Sequence, residues 1–193
     1  GVPLAQIATK LLLGKSLVDI VDKKTRGLAV MPYAVLKYPV FSTYKLPGVD
    51  AMVGPEMKST GEGISIAATK EEAAYKAFYA YLQKKANANE IYIIGGIDEA
   101  LAAEIEAKQL MIVSESSLAE WMKRDAALAV IDLGKEEDEA PKRMAALSRQ
   151  LLVFTEPETL KLFLQALDVD HLDVQPIHGW LEKKKQAEQA VIL

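Results

Sequence analysis

The spacing of hydrophobic positions changes along this chain and divides it into regions. Near the start, Leu4, Ile7, Ala8, Leu11 and Leu12 recur at i, i+3, i+4, i+7 and i+8, which predicts one apolar helical stripe. Gly14 closes it, since glycine readily takes the left-handed conformation that ends helices. Ser16 opens a second short helix, its side chain capping a backbone N–H, with Asp19 at the positive end of the helix dipole. From Met31 to Tyr44 the pattern turns β-branched and aromatic, broken by Pro32 and Pro39, which predicts extended chain with Pro39 at a sheet edge or bulge. A further strand is expected through Ile64 and Ile66. Thr69 and Glu72 form a capping box ahead of a helix whose stripe is Ala74, Ala77, Phe78 and Tyr81. The polar run Lys84-Lys85-Ala86-Asn87-Ala88-Asn89 reads as a linker.

Beyond it the chain alternates regularly. Ile91 to Ile94, Leu110 to Val113, Ala127 to Leu133 and Leu151 to Thr155 are short apolar runs of the kind buried on both faces of a parallel sheet. Asp98 begins a helix after the first run and Ser117 with Glu120 caps one after the second. Met144 and Leu147 mark a third helix. Pro157, at a first helical position, opens a fourth with the stripe Leu160, Phe163, Leu164 and Leu167. This strand and helix order predicts an α/β fold with right-handed crossovers. The expected organisation is an α+β piece over 1–86, a small parallel-sheet, Rossmann-like domain over 87–168 and a tail over 169–193. In the tail, Glu182 to Glu188 reads as a solvated helix face, with partner binding as the alternative.

Composition narrows the function classes. Of 193 residues, 50% are hydrophobic and 26% charged, with a net charge of −4, which excludes a disordered chain and a basic nucleic-acid surface. Absence of cysteine removes disulfides, thiolate catalysis and thiolate metal sites. No apolar run approaches the ~20 residues of a membrane span, and no signal-peptide pattern opens the chain. A cytoplasmic protein is expected.

The densest cluster of special residues is Pro47-Gly48-Val49-Asp50-Ala51-Met52-Val53-Gly54-Pro55-Glu56-Met57-Lys58-Ser59-Thr60-Gly61-Glu62. Its glycines and prolines shape backbone. Glu56, Lys58, Ser59, Thr60 and Glu62 are its polar members, and in an extended strand Glu56, Lys58, Thr60 and Glu62 share one face. That face suits either the substrate side of a phosphoryl-transfer site or a ladder of cross-strand pairs, and a scaffold wall behind the catalytic centre is the preferred reading. The run resembles the signature near the end of each synthetase half in the large subunit of carbamoyl-phosphate synthase. Gly1-Val2-Pro3-Leu4-Ala5 and Gly14-Lys15-Ser16-Leu17 match the same family at the same spacing, so the resemblance is clear over residues 1–82.

That resemblance implies the end of the second ATP-grasp unit, the one that phosphorylates carbamate. The family's magnesium and ATP ligands fall just ahead of the position matching Gly1, so an excised, catalytically inert piece is expected, with no catalytic set, cofactor site or metal site of its own. The parent would use ATP with magnesium or manganese and pair with a glutaminase small subunit. Where ornithine-responsive relatives carry an acid ahead of the Pro-Gly-Val-Asp run, this chain has Tyr38, which cannot pair with an ammonium group, so no ornithine response is expected.

The resemblance also implies that the second region is a regulatory domain similar to methylglyoxal synthase, which binds phosphorylated effectors. The motifs of that pocket are altered here. A Gly-Thr-Ala turn is replaced by Ser114-Glu115-Ser116-Ser117, an Asn-Thr pair by Asp132-Leu133, and Gly95-Gly96-Ile97-Asp98-Glu99 lacks the expected lysine. Carboxylates stand where an anion would sit, and repulsion at a few ångströms outweighs one or two hydrogen bonds. Ser114, Ser116, Ser117 and Asp132 therefore mark a degenerate effector pocket, and the loss favours an arginine-pathway enzyme. The alternative is a receiver-like signalling or interaction module, with Asp132 as phospho-acceptor and Thr155 as switch hydroxyl. Trp121 and Trp180 are expected to pack. His171 and His178 lack the further ligands of a metal site.

Overall fold

The computed structural model describes residues 3–21, 31–42, 48–52, 54, 58–114 and 117–190. They form two compact units, residues 1–32 with 183–193, and residues 33–182. The first holds helix α1 (Leu4–Leu12) and the single turn α2 (Leu17–Ile20). Gly14 has φ +83°, the left-handed conformation expected of a helix stop. Ser16 precedes α2, but its side chain makes no capping bond.

The second unit carries two sheets that share one helix. Strands β1 (Ala34–Val40) and β2 (Gly61–Ala67) pair antiparallel, with Leu36 opposite Ser65 and Tyr38 opposite Gly63. Pro39 lies within β1, where a two-stranded sheet leaves an edge that needs no proline N–H. Helix α3 (Lys70–Lys84) follows and packs on both strands. Thr69 Oγ1 accepts from Glu72 N at 3.2 Å, as the sequence predicts, while the Glu72 carboxylate reaches back one residue further, to Ala68 N, at 3.2 Å.

Four parallel strands follow: β3 (Glu90–Ile93), β4 (Met111–Val113), β5 (Ala127–Ile131) and β6 (Leu152–Phe154), in the order β4-β3-β5-β6. Their helices are α4 (Glu99–Ala107), the single turn α5 (Leu118–Trp121), α6 (Ala140–Ser148) and α7 (Pro157–Ala166). The Asp98 side chain caps α4 through Leu101 N at 2.7 Å, and Pro157 occupies the first turn of α7. Ser117 makes no side-chain cap, and Glu120 pairs with Lys123 instead.

Leu101 and Ile105 of α4 and Leu160, Phe163 and Leu164 of α7 pack on one face of this sheet, with Phe78 and Tyr81 of α3 beside them. Leu118 and Trp121 of α5 and Ala146 of α6 cover the other face. The crossover after β3 runs one way and those after β4 and β5 run the other, so a constant crossover hand places their helices on opposite faces. That explains why β5 is buried at every position.

Helix α3 ties the two sheets together. Its Tyr81 hydroxyl donates to Leu128 O of β5 and accepts from Leu152 N of β6 at 3.3 Å. On its other side Ala73 O accepts from Ser65 Oγ of β2 at 2.6 Å. In the tail, helix α8 (Ile177–Ala190) begins within this unit, and Trp180 is buried edge-on against Tyr33, with Lys76 of α3 over its ring.

Candidate functional site

Winding direction reverses between β3 and β5, and open α/β sheets usually take ligands at the carboxyl ends of such strands. The carboxyl end of β5 carries an ion cluster. Asp132 follows β5 directly and is 1% exposed, and Arg143 comes from α6 and is also 1% exposed. Arg143 Nη1 donates to Asp132 Oδ2 at 2.5 Å and to Glu136 O at 3.0 Å. Its remaining nitrogens grip Asp50: Nε donates to Oδ1 and Nη2 to Oδ2, both at 2.8 Å. Such a two-pronged contact matches the planar guanidinium to a carboxylate. Hydrogen bonding from Arg143 holds the Asp50 carboxyl below its usual range against the opposing effect of burial, and the two acids hold Arg143 firmly protonated.

Asp50 is the acid of the Pro-Gly-Val-Asp signature, preceded by Gly48 at φ +81°. At that angle a side chain would strain the backbone, and the turn aims Asp50 at the sheet end. The glycine-rich signature and the parallel sheet therefore meet through one buried arginine. Sequence reasoning missed this partnership. The available signal was Arg143 itself, a charged residue on the α6 face that buries Ala146, three residues on.

A cleft of about 930 Å³ opens beside this cluster, walled by the inner face of β1, by α3 and by β6. Its lining includes Lys37, Lys58, Lys84, Lys85 and Arg149 but a single acid, Asp50, already committed to Arg143. Tyr38 lies on this wall with its ring over Gly63, where an added Cβ would overlap it.

The polar signature residues are placed as follows. Thr60 Oγ1 is 2.9 Å from Ser42 Oγ, and Thr60 N donates to Val40 O at 2.8 Å. Glu62 pairs with Lys37 across the ribbon at 2.6 Å. Lys58 Nζ donates to Met52 O at 2.7 Å, Ser59 is half-buried, and Glu56 lies outside the described residues. Of these residues only Glu62 lies within β2, which begins at Gly61. The described members Thr60 and Glu62 make cross-strand contacts.

Ser114 and Ser117 are exposed, and Ser116 lies outside the described residues. Asp132, read as part of a degenerate pocket, is buried and paired with Arg143. A phospho-acceptor must reach solvent, so its 1% exposure speaks against the receiver alternative. Thr155 is likewise buried. His171 pairs with Asp170 at 2.7 Å, which raises its pKa through that hydrogen bond. Among the described residues no three His, Asp or Glu side chains are grouped to hold a metal, and no helix is long and apolar enough to cross a membrane.

Fold and site together define an α/β segment with helices on both faces of a parallel sheet and a buried ion cluster at the carboxyl end of β5. Over 192 residues the chain is 86% identical to the carbamoyl phosphate synthase arginine-specific large chain of Geobacillus stearothermophilus, a match covering all of this chain and 18% of that protein. The corresponding large chain of Bacillus subtilis (strain 168) is 33% identical over 168 residues, 86% of this chain and 15% of that protein. The resemblance read from the signature thus extends over the whole chain, which matches a segment of a carbamoyl phosphate synthase large chain and spans less than a fifth of these relatives. No family model matches it.

Proposed function

We propose that residues 1–86 are the end of the second ATP-grasp synthetase unit of such a large chain. Residues 87–168 are then a reduced, methylglyoxal-synthase-like regulatory domain and residues 169–193 its tail. The parent makes carbamoyl phosphate for arginine synthesis from ATP, bicarbonate and glutamine-derived ammonia, with magnesium or manganese and a glutaminase small subunit. This segment supplies a wall rather than a reacting group. Its described side chains offer magnesium no three grouped ligands, and Asp50 and Asp132 are both taken by Arg143, so no step of the chemistry is routed through them.

The observation that carries this reading is the Asp50–Arg143–Asp132 cluster, in which a signature residue of the synthetase part is clamped to the end of the parallel sheet. Two acids against one base leave that site with a net negative charge, which repels a phosphorylated effector. The cations at the cleft are exposed or half-buried, and ordinary salt screens exposed charges. The sheet order, 2-1-3-4 in the domain's own numbering, is what a doubly wound 3-2-1-4-5 sheet leaves without its third strand, and equally the first four strands of a 2-1-3-4-5 sheet. The former agrees with the short passage between Val113 and Ala127, which holds only the single turn α5.

Calorimetric titration of the chain with uridine and inosine monophosphates is expected to show no binding in the micromolar range, and such binding would refute the reduced-domain reading. Ornithine, whose ammonium group would meet Tyr38 and a cationic cleft, is expected to leave the activity of the intact large chain unchanged. ATP turnover by the 193-residue chain alone would overturn the assignment as a wall segment.

A further inference from the structure

The Asp50–Arg143–Asp132 cluster holds one carboxylate more than its charge requires. Asp132 already matches Arg143 one for one: both are 1% exposed, and they pair at 2.5 Å within the parallel-sheet part. A buried cation needs one counter-charge, and a second acid brings a further desolvation cost without adding neutrality. Yet Asp50 is drawn in from a loop 93 positions earlier and takes the Nε and Nη2 side of the guanidinium, both contacts at 2.8 Å. Since Nη1 also donates to Glu136 O at 3.0 Å, four of the five N–H groups of Arg143 are in use and the side chain is held from two directions.

What the surplus acid holds is backbone. The Asp50 carboxylate also accepts from the N–H groups of Met52 and Ala51, and Met52 O in turn accepts from Lys58 Nζ at 2.7 Å. Residues 48–52 and 58–60 contain no helix or strand. A series of side-chain bonds that starts at α6 therefore sets the course of the signature loop where no regular element does. We propose that Arg143 is a positioning residue for carbamate phosphorylation: through Asp50 it holds the signature loop where that loop walls the reacting groups. This rests on the functional reading given above. It also gives the parallel-sheet part a task that requires no effector, because the hold is made of side chains that are always present.

The test uses a hybrid: an intact large chain in which this segment replaces the matching part of the Geobacillus stearothermophilus protein. Carbamoyl phosphate and ADP are supplied, and ATP is measured as the phosphoryl group passes to ADP and leaves carbamate, the reverse of the phosphorylation. Asp50→Asn sets an amide N–H against a guanidinium N–H, which breaks the two-pronged grip and leaves Arg143 paired with Asp132. Arg143→Lys keeps the charge and gives up the fork. At a temperature where circular dichroism shows every variant folded, each single change is expected to lower kcat about tenfold or more, as misplacement from outside the chemistry does. Joined in one chain, they should lower it by no more than about twofold beyond the less active single variant, because both remove the same contact. A single change that leaves kcat intact would mean that the cluster only stabilises the fold, and losses that multiply in the double variant would mean that Asp50 acts apart from Arg143. Either result overturns the proposal. An unsubstituted hybrid that forms no ATP defeats the functional reading and the positioning role with it, whereas a hybrid that forms ATP equally fast with and without Asp50→Asn defeats the positioning role alone.

Discussion

At the scale of single residues, Arg143 has the largest effect to lose. Its guanidinium pairs with Asp50 and Asp132 at once, and its side chain is only 2% exposed. Removing one partner of a buried pair leaves an uncompensated charge and costs about 3–5 kcal/mol. Arg143→Met should therefore destabilise the chain strongly in urea unfolding, while a further Asp50→Asn change in the same chain recovers part of the loss. If the double variant is no more stable than Arg143→Met alone, Asp50 is not coupled to Arg143. The same cluster sets an acid limit. Because the folded-state pKa of Asp50 is depressed, its contribution is complete above the ordinary carboxylate value of 3.8 and is lost as pH falls through the lower folded value. Unfolding midpoints measured from pH 6 down to pH 3 should accordingly fall more steeply for the wild type than for Asp50→Asn.

At the scale of elements, legibility in the sequence depended on how local the signal was. The α4 start at Asp98 and the α7 start at Pro157 were readable because a cap or a first-turn proline acts on its own neighbours. The four parallel strands were readable as short apolar runs, since burial on both faces removes any polar alternation. Ser16 and Ser117 failed as caps because a helix of one turn gains too little to fix a serine rotamer. Nothing in the alternation of the signature's polar residues reveals that β2 starts at Gly61. The Asp50–Arg143 contact spans 93 positions and joins a loop to a helix, so no periodicity could announce it. Two local devices can be tested. Thr69→Ala removes the bond to Glu72 N and should cost about 1 kcal/mol, the usual worth of an N-cap. Gly63→Val places a branched side chain where the Tyr38 ring lies. It should speed hydrogen exchange in β1 and β2 and leave β5 unaffected.

For the molecule as a whole, the decisive feature is that α3 serves two sheets. Its inner face packs on β1 and β2, while Phe78 meets Phe154 and Phe163 of the parallel-sheet core and Tyr81 bridges β5 to β6. Burial pushes the Tyr81 hydroxyl up to about 12 from an ordinary 10.0, so its contribution is intact below pH 10 and lost only as pH climbs through the folded value. A helix whose two sides are each needed by a different sheet cannot melt from one and remain on the other, so residues 33–182 should unfold in a single transition. The two tryptophans of the chain permit the check. Trp121, on α5, sits in the core, and Trp180 is buried against Tyr33 beside α3. Trp180→Phe leaves a reporter on the parallel sheet, and Trp121→Phe leaves one on the ribbon side. After correction for the stability change of each variant against far-ultraviolet circular dichroism, each fluorescence transition should superimpose on that variant's own loss of secondary structure. A ribbon signal that melts ahead of the helical signal would mean that the sheets fold independently and that α3 belongs energetically to only one of them.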